Sequence, residues 1–265
     1  MNYLDDLTFG SAKPIREAVQ QSISFTGNRR EPRILIGCEF SQTVMSAWFD
    51  RGFDVYSCDL LPCEGDYPER HYQCDIREIL DGVDGEKWDL IIIAHPPCTR
   101  LTNSGVRWLS KPATNPVADC TDAEREAWPT LSDDEKLAIT WKHLDDGAAL
   151  FSDLWNADCP RIVLENPVMH KHAKARIKNY VEFAQSVQPW QFGHNETKRT
   201  CFWIKGLPNL VPDTTVKPDN VEARVHSLPP SKDRWKLRSA FFSGIADAMA
   251  LQWGPIIEKE ISLNY

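Results

Sequence analysis

A cysteine follows a short apolar segment of the chain, and its chemistry depends on that position. Residues 90–94 are an unbroken apolar run rich in β-branched side chains, which predicts a strand buried on both faces. Pro96 and Pro97 end the strand, because proline cannot donate to a sheet ladder, and they place Cys98 beyond its carboxyl end. Ligands of open α/β sheets bind at that edge. Cys98 is therefore a candidate nucleophile, the alternative being a small buried apolar residue.

A carboxylate and an amide follow a second apolar strand. Residues 159–164 predict a strand that ends in Glu165 and Asn166 and is stopped by Pro167. In a doubly wound sheet these side chains would lie beside Cys98. Asn166 could instead cap a helix, but a carboxylate at the end of an apolar strand is costly to bury without a partner. The pair therefore predicts a polar site shared with Cys98.

The first part of the chain predicts a nucleoside-binding unit. Residues 33–37 and 54–58 predict two strands, joined by a helix that Ser41 would cap. The second strand ends at Asp59, an acidic residue about 20 positions after the turn. A carboxylate at that position suits hydrogen bonds to the hydroxyls of a ribose. Asp59 is therefore a candidate ribose ligand rather than a solvated loop carboxylate.

The turn and the third strand indicate which nucleoside is bound. Residues 37–42 contain one glycine and no GxGxxG pattern, so NAD and FAD are disfavoured. S-adenosylmethionine has ribose and adenine but no phosphate, and Glu39 could receive its charged amino-acid end. Residues 71–76 predict a short strand near whose end Asp75 could accept from the adenine amino group, with Ile76 against the ring.

The composition limits the classes of protein that are compatible with this chain. It has 265 residues, a net charge of −8 and 42% hydrophobic residues, which is ordinary for a globular protein. No apolar run approaches the roughly 20 residues of a membrane span, and the polar N-terminus does not resemble a secretory signal. The 8 cysteines form no CxxC pair, which disfavours a structural metal and predicts a reducing, cytoplasmic location. The negative charge requires any nucleic acid to bind at a local basic surface.

Four other segments predict the elements that surround the candidate site residues. Residues 1–30 predict a loosely organised lead-in with one helix near residues 14–23. Residues 99–130 predict a long polar segment without obvious structure, which is usually functional. Apolar residues at helical spacing over residues 137–155 predict an amphipathic helix on the sheet. A basic run at residues 170–178 is typical of the solvated face of a helix.

Together these motifs resemble those of the DNA cytosine-5 methyltransferases, most closely the small phage-type members. The family's Pro-Pro-Cys motif matches residues 96–98, and its Glu-Asn-Val motif matches residues 165–167, with proline in place of valine. Its Tyr-Gly-x-Pro-Gln-x-Arg-x-Arg segment can be laid on residues 192–200. There Lys198 takes the place of the first arginine and Thr200 that of the second.

The resemblance extends from about residue 33 to residue 253 and implies a fold and a domain layout. The implied fold is α/β, the Rossmann-like class I fold of S-adenosylmethionine-dependent methyltransferases, with a mostly parallel, doubly wound sheet. After the lead-in, a catalytic core would cover residues 31–205. A short Pro-rich and basic segment, residues 206–238, would replace the family's large target-recognition domain. Residues 239–265 would form a C-terminal helix that returns to the cofactor pocket.

The resemblance also implies a covalent mechanism, and the chemistry of cytosine agrees with it. C5 of cytosine is a poor nucleophile, but addition of a thiolate at C6 makes an enamine-like carbanion that can take a methyl group from a sulfonium. Cys98 would be that nucleophile, and Glu165 would hold a proton at N3 of the base. Asn166 would fix the loop or the exocyclic amine, and Lys198 would stabilise the base.

The implied partners are S-adenosylmethionine and double-stranded DNA, whose target base must be flipped out of the duplex. The expected cofactor-binding residues are Gly37, Cys38, Glu39, Phe40, Ser41, Asp59, Leu60, Asp75, Ile76, His95 and Pro97. The expected DNA-binding residues are Arg100, Ser104, Arg107, His194, Arg199, Arg234, Lys236 and Arg238. The protein would act as a monomer or a homodimer.

Alternative functions are compatible with parts of the pattern. An amino-group methyltransferase normally has an Asp/Asn/Ser-Pro-Pro-aromatic motif, whose two ends are replaced here by His95 and Cys98. A zinc nucleobase deaminase needs P-C-x-x-C, and residues 98–101 lack the second cysteine. A non-catalytic DNA-binding protein on a decayed methyltransferase fold, and an enzyme that uses a modified S-adenosylmethionine, both remain open. The sequence leaves the recognition site and the biological purpose open, whether phage DNA protection or restriction-modification.

Overall fold

The computed structural model describes residues 30–117, 119–229, 231 and 234–263. The predicted helix near residues 14–23 lies outside the described residues. The strands are β1 (Arg33–Gly37), β2 (Asp54–Asp59), β3 (His71–Gln73), β4 (Leu90–Ile93), β5 (Ile162–Asn166), β6 (Gln185–Val187) and β7 (Thr200–Lys205). They form a seven-stranded sheet with the order β3-β2-β1-β4-β5-β7-β6.

The sheet is mostly parallel, as predicted. β1 to β5 pair in parallel, whereas β7 runs antiparallel to both β5 and β6. The order of the first five strands is that of a doubly wound nucleotide-binding sheet, in which the strand order reverses between β1 and β4. Gly37 pairs with Ile93 at that point. The crevice between the ends of β1 and β4 is therefore the place where such a sheet binds ligands.

Helices cover both faces of the sheet. They are α1 (Thr43–Phe49), α2 (Asn103–Val106), α3 (Asp122–Ala127), α4 (Asp133–Trp155), α5 (Lys171–Lys174), α6 (Arg224–Ser227), α7 (Arg234–Ser239) and α8 (Ser243–Leu263). One core packs α1 and α8 on the sheet, and the other packs α4 on the opposite face. Successive residues of β4 serve the two cores in turn, with Leu90 and Ile92 in the first and Ile91 and Ile93 in the second. This explains why the strand is apolar throughout.

The predicted amphipathic helix is confirmed and has a defined start. α4 begins after Ser132, whose hydroxyl accepts from the backbone N–H of Glu135 while the Glu135 carboxylate accepts from the backbone N–H of Ser132. Leu144, Ala148 and Phe151 are fully buried on its inner face. The reciprocal cap satisfies two N–H groups that a helix leaves unpaired at its N-terminus.

The predicted cap of α1 is wrong. Gln42 rather than Ser41 precedes the helix, with a φ of 56°. The backbone N–H groups of Val44 and Met45 donate to the Glu39 carboxylate over 2.7 and 3.0 Å. A carboxylate satisfies these donors and complements the positive end of the helix, so it replaces the hydroxyl that the sequence predicts.

The segment after Cys98 is folded, contrary to the prediction of a long structureless loop. It contains α2 and α3 and a small apolar cluster of its own, made by Ala113, Cys120 and Trp128. The Trp128 indole donates to the backbone oxygen of Ala113 over 3.1 Å. We use the name lid for residues 99–117 and 119–131. This segment follows Cys98 directly and packs on α4.

The last part of the chain carries few regular elements before α8. Between residue 206 and the start of α8 the described helices are α6 and α7, each of six residues or fewer. None of the helices in the described ranges is long and apolar enough to cross a membrane.

Candidate active site

The loops that follow β4 and β5 are joined to one another. An antiparallel bridge pairs Thr102 in the first loop with Met169 in the second. The backbone N–H of Leu101 donates to the Cys98 oxygen over 3.0 Å, which closes a turn directly after the cysteine. Cys98 and Glu165 therefore lie at the same edge of the sheet, as the sequence predicts.

A small cavity opens beside Glu165. Its volume is about 10 Å³, and its lining residues are Glu165, Lys198, Thr200, Phe241, Phe242 and Ile245. β5 and β7 supply the polar part of the wall, and the segment leading into α8 supplies the apolar part. The cavity thus combines a carboxyl and an amine with two aromatic rings, a suitable lining for a planar polar ligand.

Burial and a neighbouring cation act in opposite directions on Glu165. The residue is 9% exposed, and burial raises the pKa of its carboxyl to about 7, although the charge of Lys198 lowers it. Burial lowers the pKa of Lys198, and the charges of Glu165 and Cys98 raise it. The Lys198 ammonium donates to the Ala240 oxygen over 3.3 Å and lies 5.8 Å from the centre of the Phe242 ring. Glu165 can therefore hold a proton near neutral pH.

Cys98 is a protonated thiol near neutral pH in the free protein. Burial raises its pKa to about 11, the charge of Glu165 adds to this, and the charges of Lys198 and Arg238 lower it. These electrostatic interactions place the four side chains in one neighbourhood. The thiol must lose its proton before it can act as a nucleophile.

Two other polar side chains at this edge lack hydrogen-bond partners. Both side-chain atoms of Asn166 are buried and unpaired among the described residues, as is Nε2 of His95. Burial lowers the pKa of His95 to about 3, so the ring is neutral, and it lies 5.6 Å from the Phe241 ring. Buried polar groups are nearly always paired in native proteins. Unpaired atoms at this edge of the sheet are therefore groups that a bound ligand could satisfy.

The residues predicted to hold the nucleoside end of a methyl donor lie after β1, β2 and β3. Asp59 and Asp75 are both close enough to Cys38 to raise the pKa of its thiol, which burial, the larger effect, brings to about 12. Asp59 accepts from the Leu61 N–H over 2.9 Å, and burial raises its pKa. Arg77 pairs with Asp75 and lowers its pKa. These carboxylates share one edge of the sheet, as predicted.

Three further residues expected to bind the donor are Ile76, Phe40 and Leu60. Ile76 is buried over Gly37, where a Cβ would meet its Cδ1 at 1.9 Å, so any larger residue there would displace the Ile76 side chain. Phe40 is 7% exposed and lies 6.1 Å from the Trp235 ring. Leu60 is 71% exposed.

Glu39 has a structural role that is not evident from the sequence. Both of its oxygens accept from the first turn of α1, and its side chain is fully buried. Burial raises the pKa of this carboxyl to about 7, against the lowering effect of the hydrogen bonds. Contact with the amino-acid end of a donor would require exchange of these bonds.

Two residues expected to bind DNA are engaged inside the protein. The Arg100 guanidinium is 3% exposed and binds the Asp119 carboxylate, with an Nη2–Oδ1 distance of 2.8 Å. His194 Nε2 accepts from the Gly244 N–H over 2.9 Å and so holds the start of α8. The expected DNA contact of Arg100 would require this buried ion pair to open, which the sequence does not show because it gives no sign that the cation has a buried partner.

The other expected DNA-binding residues lie on the surface around the site. Ser104 and Arg107 are exposed on the lid, and Arg107 lies 4.4 Å from the centre of the Trp108 ring. Arg199, the residue after Lys198, is exposed. On α7, Lys236 pairs with Glu64, while Arg238 is near enough to Cys98 to lower its pKa.

Several residues of the site were not predicted. Thr200, Phe241, Phe242 and Ile245 line the cavity, and His170 joins the loops after β4 and β5. The two phenylalanines come just before α8, and nothing in their spacing shows that this helix starts beside Glu165. No group of His, Cys, Asp and Glu residues in the described part of the chain could hold a metal ion.

Comparisons with known proteins add little to this geometry. No family model and no curated protein matches the chain. Among similar solved structures is a methyltransferase from Entamoeba histolytica, with 11% identity and a TM-score of 0.35. The match covers 77% of this chain and 61% of that protein. A similarity this distant assigns no function, so the site itself must carry the argument.

Proposed function

We propose that this protein transfers a methyl group from S-adenosylmethionine to C5 of cytosine in double-stranded DNA, on a Rossmann-like class I methyltransferase fold. The observation that carries the proposal is the grouping of Cys98 with Glu165 and Lys198, two residues that line one cavity, and with Asn166, whose buried side chain has no partner among the described residues. These are a nucleophile, an acid, a cation and an amide, the groups that addition to a pyrimidine ring requires.

The first step needs a thiolate and a proton donor at the same time. The Cys98 thiolate adds to C6 of the flipped base, and a bond forms between sulfur and carbon while the C5–C6 double bond breaks. Glu165, whose pKa is about 7, donates its proton to N3 and prevents negative charge from building up on the ring. Asn166 can accept from the exocyclic amine through Oδ1, because that atom has no partner among the described residues.

The protonation states of the pair suit this step. The pKa of Glu165 is about 7 and that of Cys98 is about 11. Between these two pH values the pair therefore holds one proton. The reactive arrangement, with the proton on Glu165 and the charge on Cys98, is a minor form of that state. The charge of Lys198 lowers the pKa of both groups, so it stabilises the state with one proton in either arrangement. The pair titrates as a unit.

The residues of the donor site fit the nucleoside part of S-adenosylmethionine, which supplies the methyl group as a sulfonium. Asp59 ends β2 with its carboxylate oriented by the Leu61 N–H, so it can accept from ribose hydroxyls. Asp75 already accepts from the guanidinium and the backbone N–H of Arg77, so the adenine amino group would have to share or replace one of these bonds. After methyl transfer, loss of the C5 proton and of the Cys98 sulfur restores the aromatic ring.

Methyl transfer to DNA tests the proposal directly. Purified protein with radiolabelled S-adenosylmethionine and duplex DNA should label the DNA, and mapping of modified bases should place the label on C5 of cytosine. Cys98→Ser should abolish labelling. Cys159→Ser is the matched control, because this buried cysteine precedes β5 at the opposite edge of the sheet. Labelled DNA from Cys98→Ala, or label on an exocyclic amine, would contradict the proposal and favour an amino-group methyltransferase.

A further inference from the structure

His170 lies between the two loops of the candidate active site. It follows β5 by four residues and is 4% exposed. Its Nε2 is 2.7 Å from the backbone oxygen of Arg100, two residues after Cys98. Its own backbone N–H donates to the Leu101 oxygen over 3.0 Å. Two consecutive carbonyls of the loop that carries Cys98 are therefore held by one residue of the loop that carries Glu165.

The other side of the imidazole fixes its tautomer. Nδ1 accepts from the backbone N–H groups of His172 and Ala173, over 3.1 and 3.2 Å, and so caps α5. Since Nδ1 is an acceptor, the ring proton is on Nε2 and donates to Arg100. Burial lowers the pKa of this imidazole, which keeps it neutral near neutral pH. Both ring nitrogens are thus used, one for the helix and one for the Cys98 loop.

Close to the cysteine, the Cys98 loop is also held by its own turn, by the Arg100 ion pair and by the backbone bridge between Thr102 and Met169. The Leu101 N–H closes the turn onto the Cys98 oxygen, and the Arg100 side chain is bound by Asp119 in the lid. That ion pair leaves the backbone of Arg100 to be fixed by another group, and His170 supplies the bond. The distance between Cys98 and Glu165 depends on how the two loops are joined.

We propose that His170 is a positioning residue: its Nε2–H bond to the Arg100 oxygen sets the place of Cys98 relative to Glu165. This rests on the proposed function, in which both side chains act on the same base. His170 does not touch the base. A displacement of about 1 Å at a reacting group can cost on the order of 10² in rate. The bond therefore contributes to catalysis by geometry alone.

Two substitutions separate the two bonds of the imidazole. His170→Asn retains an oxygen acceptor near the position of Nδ1, and asparagine is a favoured N-cap residue, but its side chain is too short to reach Arg100. His170→Gln can place an amide N–H donor near the position of Nε2 and loses the acceptor for α5. His172→Asn is the matched control: this ring packs against Trp141, 5.3 Å away, and against the His170 ring, 5.8 Å away, but makes no hydrogen bond to the Cys98 loop among the described residues.

Four measurements give the outcome: the single-turnover rate with saturating DNA, the Kd of S-adenosylmethionine, thermal unfolding, and hydrogen exchange of the Leu101 amide. In His170→Asn we expect unfolding and Kd close to the unchanged protein, with faster exchange at Leu101 and a rate lower by about 10- to 100-fold. In His170→Gln we expect a rate within about a few-fold of the unchanged protein, because the donor to Arg100 is retained. We expect a lower Tm, because the cap of α5 is lost.

Other results would overturn the proposal. An unchanged rate or unchanged Leu101 exchange in His170→Asn would show that the bond does not position the loop. Rates that fall only in step with the unfolded fraction in both variants would show a merely structural role. If the unchanged protein transfers no methyl group, the proposed function fails, and Leu101 exchange alone then decides whether His170 holds the loop.

Discussion

Replacement of Glu165 by glutamine should change the shape of the pH profile as well as the rate. In the unchanged protein the reactive form carries one proton on Glu165 and none on Cys98. Below about pH 7 both groups are protonated, so the rate should rise about tenfold per pH unit up to the pKa of Glu165. Above that value the loss of the Glu165 proton cancels the gain of thiolate, and the rate should be level until the pKa of Cys98, about 11.

The size of the change follows from the two pKa values. With a pKa of about 11, roughly 10⁻⁴ of Cys98 is thiolate at pH 7. Glu165→Gln removes a general acid, typically worth about 10²–10⁴ in rate. It also removes a negative charge that raises the pKa of Cys98, so the thiolate fraction should increase and offset part of the loss. The profile of the variant should then rise about tenfold per unit through pH 7 without a level region.

Single-turnover methylation of duplex DNA between pH 5.5 and 9.5, taken as about the range in which the fold is stable, measures both effects. Glu39→Gln is the matched control, because burial also raises the pKa of that carboxyl to about 7 while it caps α1. The control should retain the change of slope near pH 7, whatever its rate. A level region that persists in Glu165→Gln, or that disappears in Glu39→Gln, would refute the assignment of the acid.

Three further predictions concern the donor site, the DNA surface and the lid. Asp59→Asn should weaken S-adenosylmethionine by about tenfold or more, since a hydrogen bond to a charged group is worth roughly 1.5–3 kcal/mol; unchanged affinity in calorimetry would remove the ribose assignment. Arg234→Glu with Lys236→Glu should flatten the log–log salt dependence of DNA affinity by about one unit per lost phosphate contact, and an unchanged slope would place the DNA elsewhere. Gly105→Ala should destabilise the lid by about 1–3 kcal/mol, because the new Cβ would meet a backbone oxygen at 2.1 Å. Gly147→Ala in α4 meets only an ordinary contact at 3.5 Å, so thermal unfolding should separate the two.

The sequence was sufficient for the features that depend on local patterns. Residues 90–94 and 162–164 are apolar because both faces of β4 and β5 are buried, so the strands and the polar residues at their ends could be predicted. α4 follows from apolar residues at helical spacing, whereas its start at the Ser132 cap was not predicted. Since parallel strands end at one edge, the neighbourhood of Cys98 and Glu165 followed as well.

Features that depend on distant partners could not be predicted. A cation such as Arg100 is predicted to lie on the surface, because the sequence does not show that Asp119 is its buried partner in the fold. The carboxylate of Glu39 caps α1 because the left-handed backbone at Gln42 turns the chain, which no residue type at these positions signals. β7 runs antiparallel, and its direction is set by the path of the chain after β6 rather than by its own residues.

Covalent trapping of Cys98 is the most direct measurement of the central claim. Duplex DNA that carries 5-fluorocytosine at the target position should form a protein–DNA complex that resists denaturation, because fluorine at C5 cannot leave as a proton does and the sulfur stays on C6. The complex should require S-adenosylmethionine and be absent with Cys98→Ser. Normal methylation of unmodified DNA by Cys98→Ala would contradict the claim, since no covalent step at this cysteine could then be part of the reaction.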